Sequence, residues 1–154
     1  GDVYAGGMGL VSACDIVISV DTARFCLSEA RLGLIPATIA PYVIRALGEQ
    51  ASRRYFTTAE QFDCATALRL GLVSEMINAD QLDATVQQLA ETLSENSPHA
   101  VRECKQLVQD VAGRTLDAAL IEDTAARIAR VRASVEGREG VASFLEKRAP
   151  AWRT

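Results

Sequence analysis

The chain has 154 residues, 49% of them hydrophobic, which is enough for one modest domain with a real core. Its 16 Lys and Arg against 20 Asp and Glu leave a net charge of −4, which argues against a nucleic-acid binder, whose basic patch would tip the balance the other way. No apolar run reaches the ~18 residues of a membrane span and no signal peptide is visible, so a soluble, reduced, cytoplasmic-type protein without membrane contact is expected.

The chain opens on "YAGGMGLVSACD", residues 4–15, where a helix is expected to begin near Gly6. "DIVISV" (15–20) is a short apolar run with β-branched residues and predicts a buried strand. "ARFCLSE" (23–29) alternates and predicts a second, ending at Glu29. "LGLIP" (32–36) reads as a loop broken by Gly33 and Pro36. "ATIAPYVIRALG" (37–48) predicts a helix with Pro41 in its first turn and Gly48 at its close. "TAEQFDCATALRLG" (58–71) predicts another, capped by Thr57 or Thr58 and closed at Gly71. "LVSEMI" (72–77) is a last short strand.

Beyond a boundary near residue 78 the pattern is wholly helical. Leu82, Val86, Leu89 and Leu93 mark one amphipathic stretch. Val101, Cys104, Val108 and Val111 mark a second, opened by Ser97-Pro98 and closed at Gly113. Leu116, Leu120, Thr124, Ile128 and Val131 mark a third, and a fourth over about 138–148 ends before Pro150. Cys14, Cys26, Cys64 and Cys104 are scattered among apolar neighbours and read as small buried thiols. With no CxxC pair and His99 the lone histidine, no zinc site is spelled out.

Two places carry chemistry. A helix that starts at Gly6 leaves its first N–H groups without intrahelical partners, and glycine keeps no side chain between them and a ligand. Such groups suit a developing negative oxygen; tight helix–strand packing is the alternative reason for Gly6-Gly7. Glu29, at a strand end in apolar surroundings, is expected to have a raised pKa and to exchange a proton near neutral pH. The alternative is an ordinary glutamate paired with Arg31 or Arg24.

"AGGMGLVSACDI … ARFCLSEARLGLIP" resembles the core of the crotonase, or enoyl-CoA hydratase/isomerase, family. "TAEQFDCATALRLGLVSEMI" is similar to a downstream helix and strand of that family, and "GREGVASFLEKRAPAW" to its C-terminal signature. The resemblance runs over nearly the whole chain. It implies an α/β fold, the C-terminal part of a crotonase (ClpP/crotonase-like) fold, followed by a helical oligomerisation region. Residues 1–78 would be the remnant of the α/β core, and 79–154 the oligomerising helices. A larger protein beginning upstream of the oxyanion turn is expected.

The resemblance also implies a partner, an acyl-CoA thioester, and no separate cofactor, since coenzyme A is part of the substrate. One of two N–H groups that hold the enolate oxygen falls on Gly6, and the other belongs to a segment upstream. Glu29 matches one of the two glutamates of the family's hydratases, whereas the other falls on Gly9. A single carboxylate suits an enoyl-CoA isomerase as well as an unusual hydratase, and a fragment without turnover is a third reading. Gly7 and Pro36 fall on substrate-binding positions. Phe144 and Lys147 fall on positions that reach the CoA nucleotide, with a core Phe144 and a surface Lys147 as the plain alternatives. Homotrimers, often paired into hexamers, are implied.

Within the family, "FCLSE" and "PATIAPYVIRA" look most like methylglutaconyl-CoA and isohexenylglutaconyl-CoA hydratases of leucine and terpenoid breakdown. For a substrate with a distal carboxylate, Arg45 is a candidate partner, although a salt bridge along its helix is the expected role. Trp152 is expected to be a packing anchor.

Overall fold

Only parts of the strand-like runs pair. β1 (Val3–Tyr4), β3 (Arg24–Cys26) and β4 (Gln61–Asp63) form one sheet in the order β1-β3-β4. β1 runs parallel to β3, with Val3 opposite Phe25 and Tyr4 opposite Cys26. β4 is antiparallel to β3 and sets Phe62 opposite Phe25. β2 (Ile18–Val20) and β5 (Glu75–Ile77) form a separate parallel ladder. Both strands expected over 15–20 and 23–29 are thus three residues long, because the chain turns at Asp15–Ile16 and leaves β3 at Leu27.

The computed structural model describes residues 1–153. They form two compact units, one over Gly1–Val86 and one from Gln87 onward. The boundary expected near residue 78 falls earlier than this division. Leu82 still lines a small cavity with Val17, Val20 and Phe25 of the first unit.

The first unit is built around the sheet. Phe25 stacks on Phe62 with ring centroids 5.6 Å apart, and Tyr55 closes on Phe62 at 4.3 Å. Met8, Leu27, Val43 and Val73 are fully buried around them. α1 (Gly6–Ser12) packs on α2 (Ala40–Thr58), and a 3-10 turn, Glu29–Leu32, touches α2 as well. α2 differs from the expected helix ending at Gly48. Gly48 does leave helical geometry, with φ 77° and ψ 164°, a conformation open to glycine. A further helical segment follows it at once, and the Ser52 hydroxyl donates to Gly48 O at 2.8 Å.

The helix expected over 58–71 is shorter, for two reasons. Thr57 and Thr58 do not cap it; their hydroxyls donate back to Arg53 O and Arg54 O in the last turn of α2. Phe62 is drawn into β4 by its place in the core. α3 (Cys64–Arg69) is capped instead by Asp63, whose carboxylate accepts the Thr66 N–H at 2.9 Å.

The helices that follow are α4 (Leu82–Ser94), α5 (Pro98–Val111), α6 (Ala118–Ala133) and α7 (Val135–Glu146). Ser97 caps α5 as expected. α7 begins earlier than expected because Ser134 caps it through the Gly137 N–H. Trp152 is the packing anchor of the second unit. Its Nε1–H donates to Glu95 O at 3.0 Å, and its ring lies over Gly140, where a Cβ would stand 3.1 Å away. Among the described residues no helix is long and apolar enough to cross a membrane. Cys26 and Cys64 are buried, whereas Cys14 and Cys104 are exposed, against the expectation of four buried thiols.

Glu139 gives the second unit an acid-sensitive contact. Two hydrogen bonds from Arg148 and one from the Ala151 N–H lower its pKa from 4.5 to about 2. A carboxylate with a depressed folded pKa stabilises above its unfolded pKa and loses that contribution as pH falls through the folded one. Melting temperatures of the wild type should therefore fall between about pH 4.5 and 2 more steeply than those of Glu139→Gln. Equal slopes would show that this pair contributes nothing.

Candidate active site

The parallel pairing of β1 and β3 brings the two chemical candidates to one edge. Both strands end in the same direction, and the β1–β3 ladder closes with the Ala5 N–H donating to Cys26 O at 3.0 Å. Gly6 follows β1 after one residue, and Glu29 follows β3 after two. Carboxyl ends of parallel strands are where open α/β sheets collect their ligands.

The turn at Gly6 is held by a strained residue. Ala5 has φ 44° and ψ −118°, a conformation that costs an L-residue about 1–3 kcal/mol and is kept only where the surroundings enforce it. Its N–H is bound to Cys26 O, and its carbonyl accepts the Met8 N–H at 2.9 Å. The peptide that carries the Gly6 N–H is thereby fixed between two anchored groups. No side chain caps the helix, and the Gly6 N–H has no acceptor among the described residues. Gly6 is exposed, and a Cβ there would meet nothing within 4 Å. Gly7 is half-buried and would meet Val3 Cγ1 at 3.4 Å, an ordinary contact. Tight helix–strand packing therefore does not account for Gly6.

Gly9, on the next turn of α1, is different. It is buried, and a Cβ there would stand 2.8 Å from Ile39 Cβ and closer still to Ile39 Cγ2.

Glu29 opens the 3-10 turn and so lies beyond the strand that was expected to end on it. It is half-buried, and its Oε2 is fully sequestered without a hydrogen-bond partner. Neither expected ion pair forms. Arg31 Nη2 donates to Ala59 O at 2.6 Å, and Arg24 Nη1 donates to Thr22 O and Ala23 O. Leaving a carboxylate oxygen buried and unpaired costs on the order of 1–3 kcal/mol or more, which a fold retains where the group has work to do.

Pro36 is buried, and its carbonyl accepts the Ala40 N–H at 2.9 Å as the chain enters α2. Arg45 is exposed on α2 and forms no ion pair among the described residues, so the expected helix-face salt bridge is absent. In the second unit Phe144 is 82% exposed, which removes the core alternative for it. Lys147, also exposed, ends α7 in a left-handed conformation (φ 53°, ψ 40°) with its N–H on Phe144 O. Nothing in the sequence singles out Ala5 or Ile39. An alanine gives no sign of a positive φ, and an isoleucine thirty residues from Gly9 gives no sign of contact with it.

The profile of the enoyl-CoA hydratase/isomerase family matches residues 1–154. A solved chain of the enoyl-CoA hydratase/isomerase (crotonase) type from Legionella pneumophila is 46% identical, with a TM-score of 0.96 over 99% of this chain and 59% of that one. An enoyl-CoA hydratase from Shewanella pealeana is 44% identical, with a TM-score of 0.93 over 99% of this chain and 57% of that one. The mevalonyl-coenzyme A hydratase sidH of Aspergillus fumigatus is 31% identical over 159 residues, covering 99% of this chain and 57% of that protein. The chain thus spans less than two thirds of the length of these relatives, and it matches the C-terminal part of the crotonase fold. By this match over its whole length, the chain belongs to the enoyl-CoA hydratase/isomerase family.

Proposed function

We propose that the full-length protein adds water to an enoyl-CoA thioester with Glu29 as its one side-chain acid and base. The observation that carries this reading is the sequestered, unpartnered Glu29 Oε2 at the strand edge that also holds the anchored Gly6 turn. The Gly6 N–H and a second N–H from upstream polarise the thioester carbonyl, each contributing roughly 3 kcal/mol in the transition state. Glu29 orients the water whose oxygen bonds to the β-carbon and passes a proton to the α-carbon. Gly7 and Pro36 line the substrate. The activity proposed is that of the full-length protein.

The acyl group we propose is 3-methylglutaconyl or one like it, from leucine or terpenoid breakdown. The "FCLSE" and "PATIAPYVIRA" segments support this, as does a relative named for a mevalonyl ester, which shares a branch at C3. Phe144 and Lys147 are proposed contacts to the CoA nucleotide, and their exposure is compatible with that role. A homotrimer or hexamer is proposed from the open apolar residues Val135, Phe144 and Leu145 of α7. A second reading, double-bond migration, is favoured by the occlusion at Gly9, because isomerisation needs only one carboxylate.

The deciding experiment incubates the full-length protein with 3-methylglutaconyl-CoA in heavy-oxygen water and weighs the product. Uptake of one labelled oxygen supports hydration. Deuterium exchange into the acyl chain in deuterated water, without oxygen uptake, supports isomerisation instead.

A further inference from the structure

Ile39 fills the place that a side chain at position 9 would take. Ordinary Cβ contacts begin near 3.4 Å, and a Cβ on Gly9 would stand 2.8 Å from Ile39 Cβ. Ile39 is β-branched and sits at the N-cap of α2, so it has little χ1 freedom with which to turn aside. Gly6 is open on the same test and Gly7 makes an ordinary contact. Of these three positions in α1, only the one against α2 is occluded.

Ile39 also ends the segment that leads away from Glu29. The Leu34 N–H donates to Glu29 O at 3.1 Å, Pro36 is buried, and Pro36 O receives the Ala40 N–H. Ile39 is itself half-buried, packed against the core of the first unit as well as against Gly9. A branched apolar side chain at the end of the segment that follows the candidate acid therefore lies against the helix of the Gly6 turn.

We propose that Ile39 is a specificity-determining residue of the thioester site, supplying from α2 the apolar wall that residue 9 cannot supply from α1. The proposal rests on the reading that Gly6 and Glu29 serve an enoyl-CoA thioester. The acyl carbon at this wall meets methyl groups in place of a polar or charged side chain. The site thereby favours an apolar branch on the acyl chain, and Glu29 works without a second carboxylate from position 9.

Two measurements on the full-length protein test this. The first compares melting temperatures of Gly9→Ala, Ile39→Ala and the double variant. The drop caused by Gly9→Ala should shrink by about half or more once residue 39 is alanine. An equal drop in both backgrounds overturns the occlusion. The second takes the ratio of kcat/KM for 3-methylcrotonyl-CoA over crotonyl-CoA. Ile39→Ala should lower that ratio about tenfold, and Ile39→Val should restore most of it. A merely structural role would depress both esters alike, and an unchanged ratio overturns the wall. If the wild type acts on neither these esters nor 3-methylglutaconyl-CoA, the enoyl-CoA reading itself fails and the wall fails with it; activity on 3-methylglutaconyl-CoA alone, or an unchanged ratio in an active wild type, sinks the wall alone.

Discussion

Replacing Glu29 by Gln in the full-length protein is expected to lower kcat with enoyl-CoA esters by about a thousandfold or more. Thioester binding should stay within about threefold. General acid–base groups contribute typically 10²–10⁴ in rate, and here one carboxylate would serve both the water and the α-carbon, so the upper part of that range applies. The substitution keeps shape and removes charge. Because Oε2 is sequestered with no protein partner, the change breaks no hydrogen bond. The melting temperature should therefore hold while turnover collapses. This difference separates a working carboxylate from a structural one. A glutamate held by Arg24 or Arg31 would lose stability on the same change, but both arginines spend their guanidinium groups on backbone carbonyls. Turnover within tenfold of wild type would place the chemistry on another residue.

The legible parts of the sequence were those written in local signals. The Ser97-Pro98 start of α5 and the break at Gly48 rest on residues whose backbone or side chain does the work on the spot. Glu29 and Gly6 stand out as candidates through their spacing in an order of motifs similar to the family's, and the β1–β3 pairing brings both to one end of the sheet. Three features were hidden, each by a long-range cause. β4 reads in sequence as the start of a helix, since only its pairing with β3 through Phe62 and Phe25 makes it a strand. Glu29 reads as a strand end, but β3 stops at Cys26 and the ensuing turn folds back onto α2. The missing side chain at Gly9 read as a lost acid. Its physical counterpart, Ile39, lies thirty residues on and meets it only in the folded chain.

The largest loss of stability is expected from Phe25→Ala. Phe25 is 1% exposed on the central strand of the three-stranded sheet, stacked on Phe62, which in turn meets Tyr55. Truncating a buried phenylalanine costs about 3–5 kcal/mol, combining lost transfer energy with the cavity left behind. The aromatic pairing adds to this, since stacked rings contribute about 0.5–1.5 kcal/mol beyond their area. For a unit of this size the melting temperature should fall by more than ~10 °C, read by circular dichroism. The same change should reach the site. β3 delivers both the carbonyl of Cys26 that anchors Ala5 and, three residues on, Glu29. Where the variant still folds, kcat should therefore drop along with stability, in contrast to Phe62→Leu, which keeps much of the volume on the partner strand and leaves β3 untouched. A Phe25→Ala variant with unchanged melting and unchanged kcat would mean that β3 does not hold the two halves of the site in register.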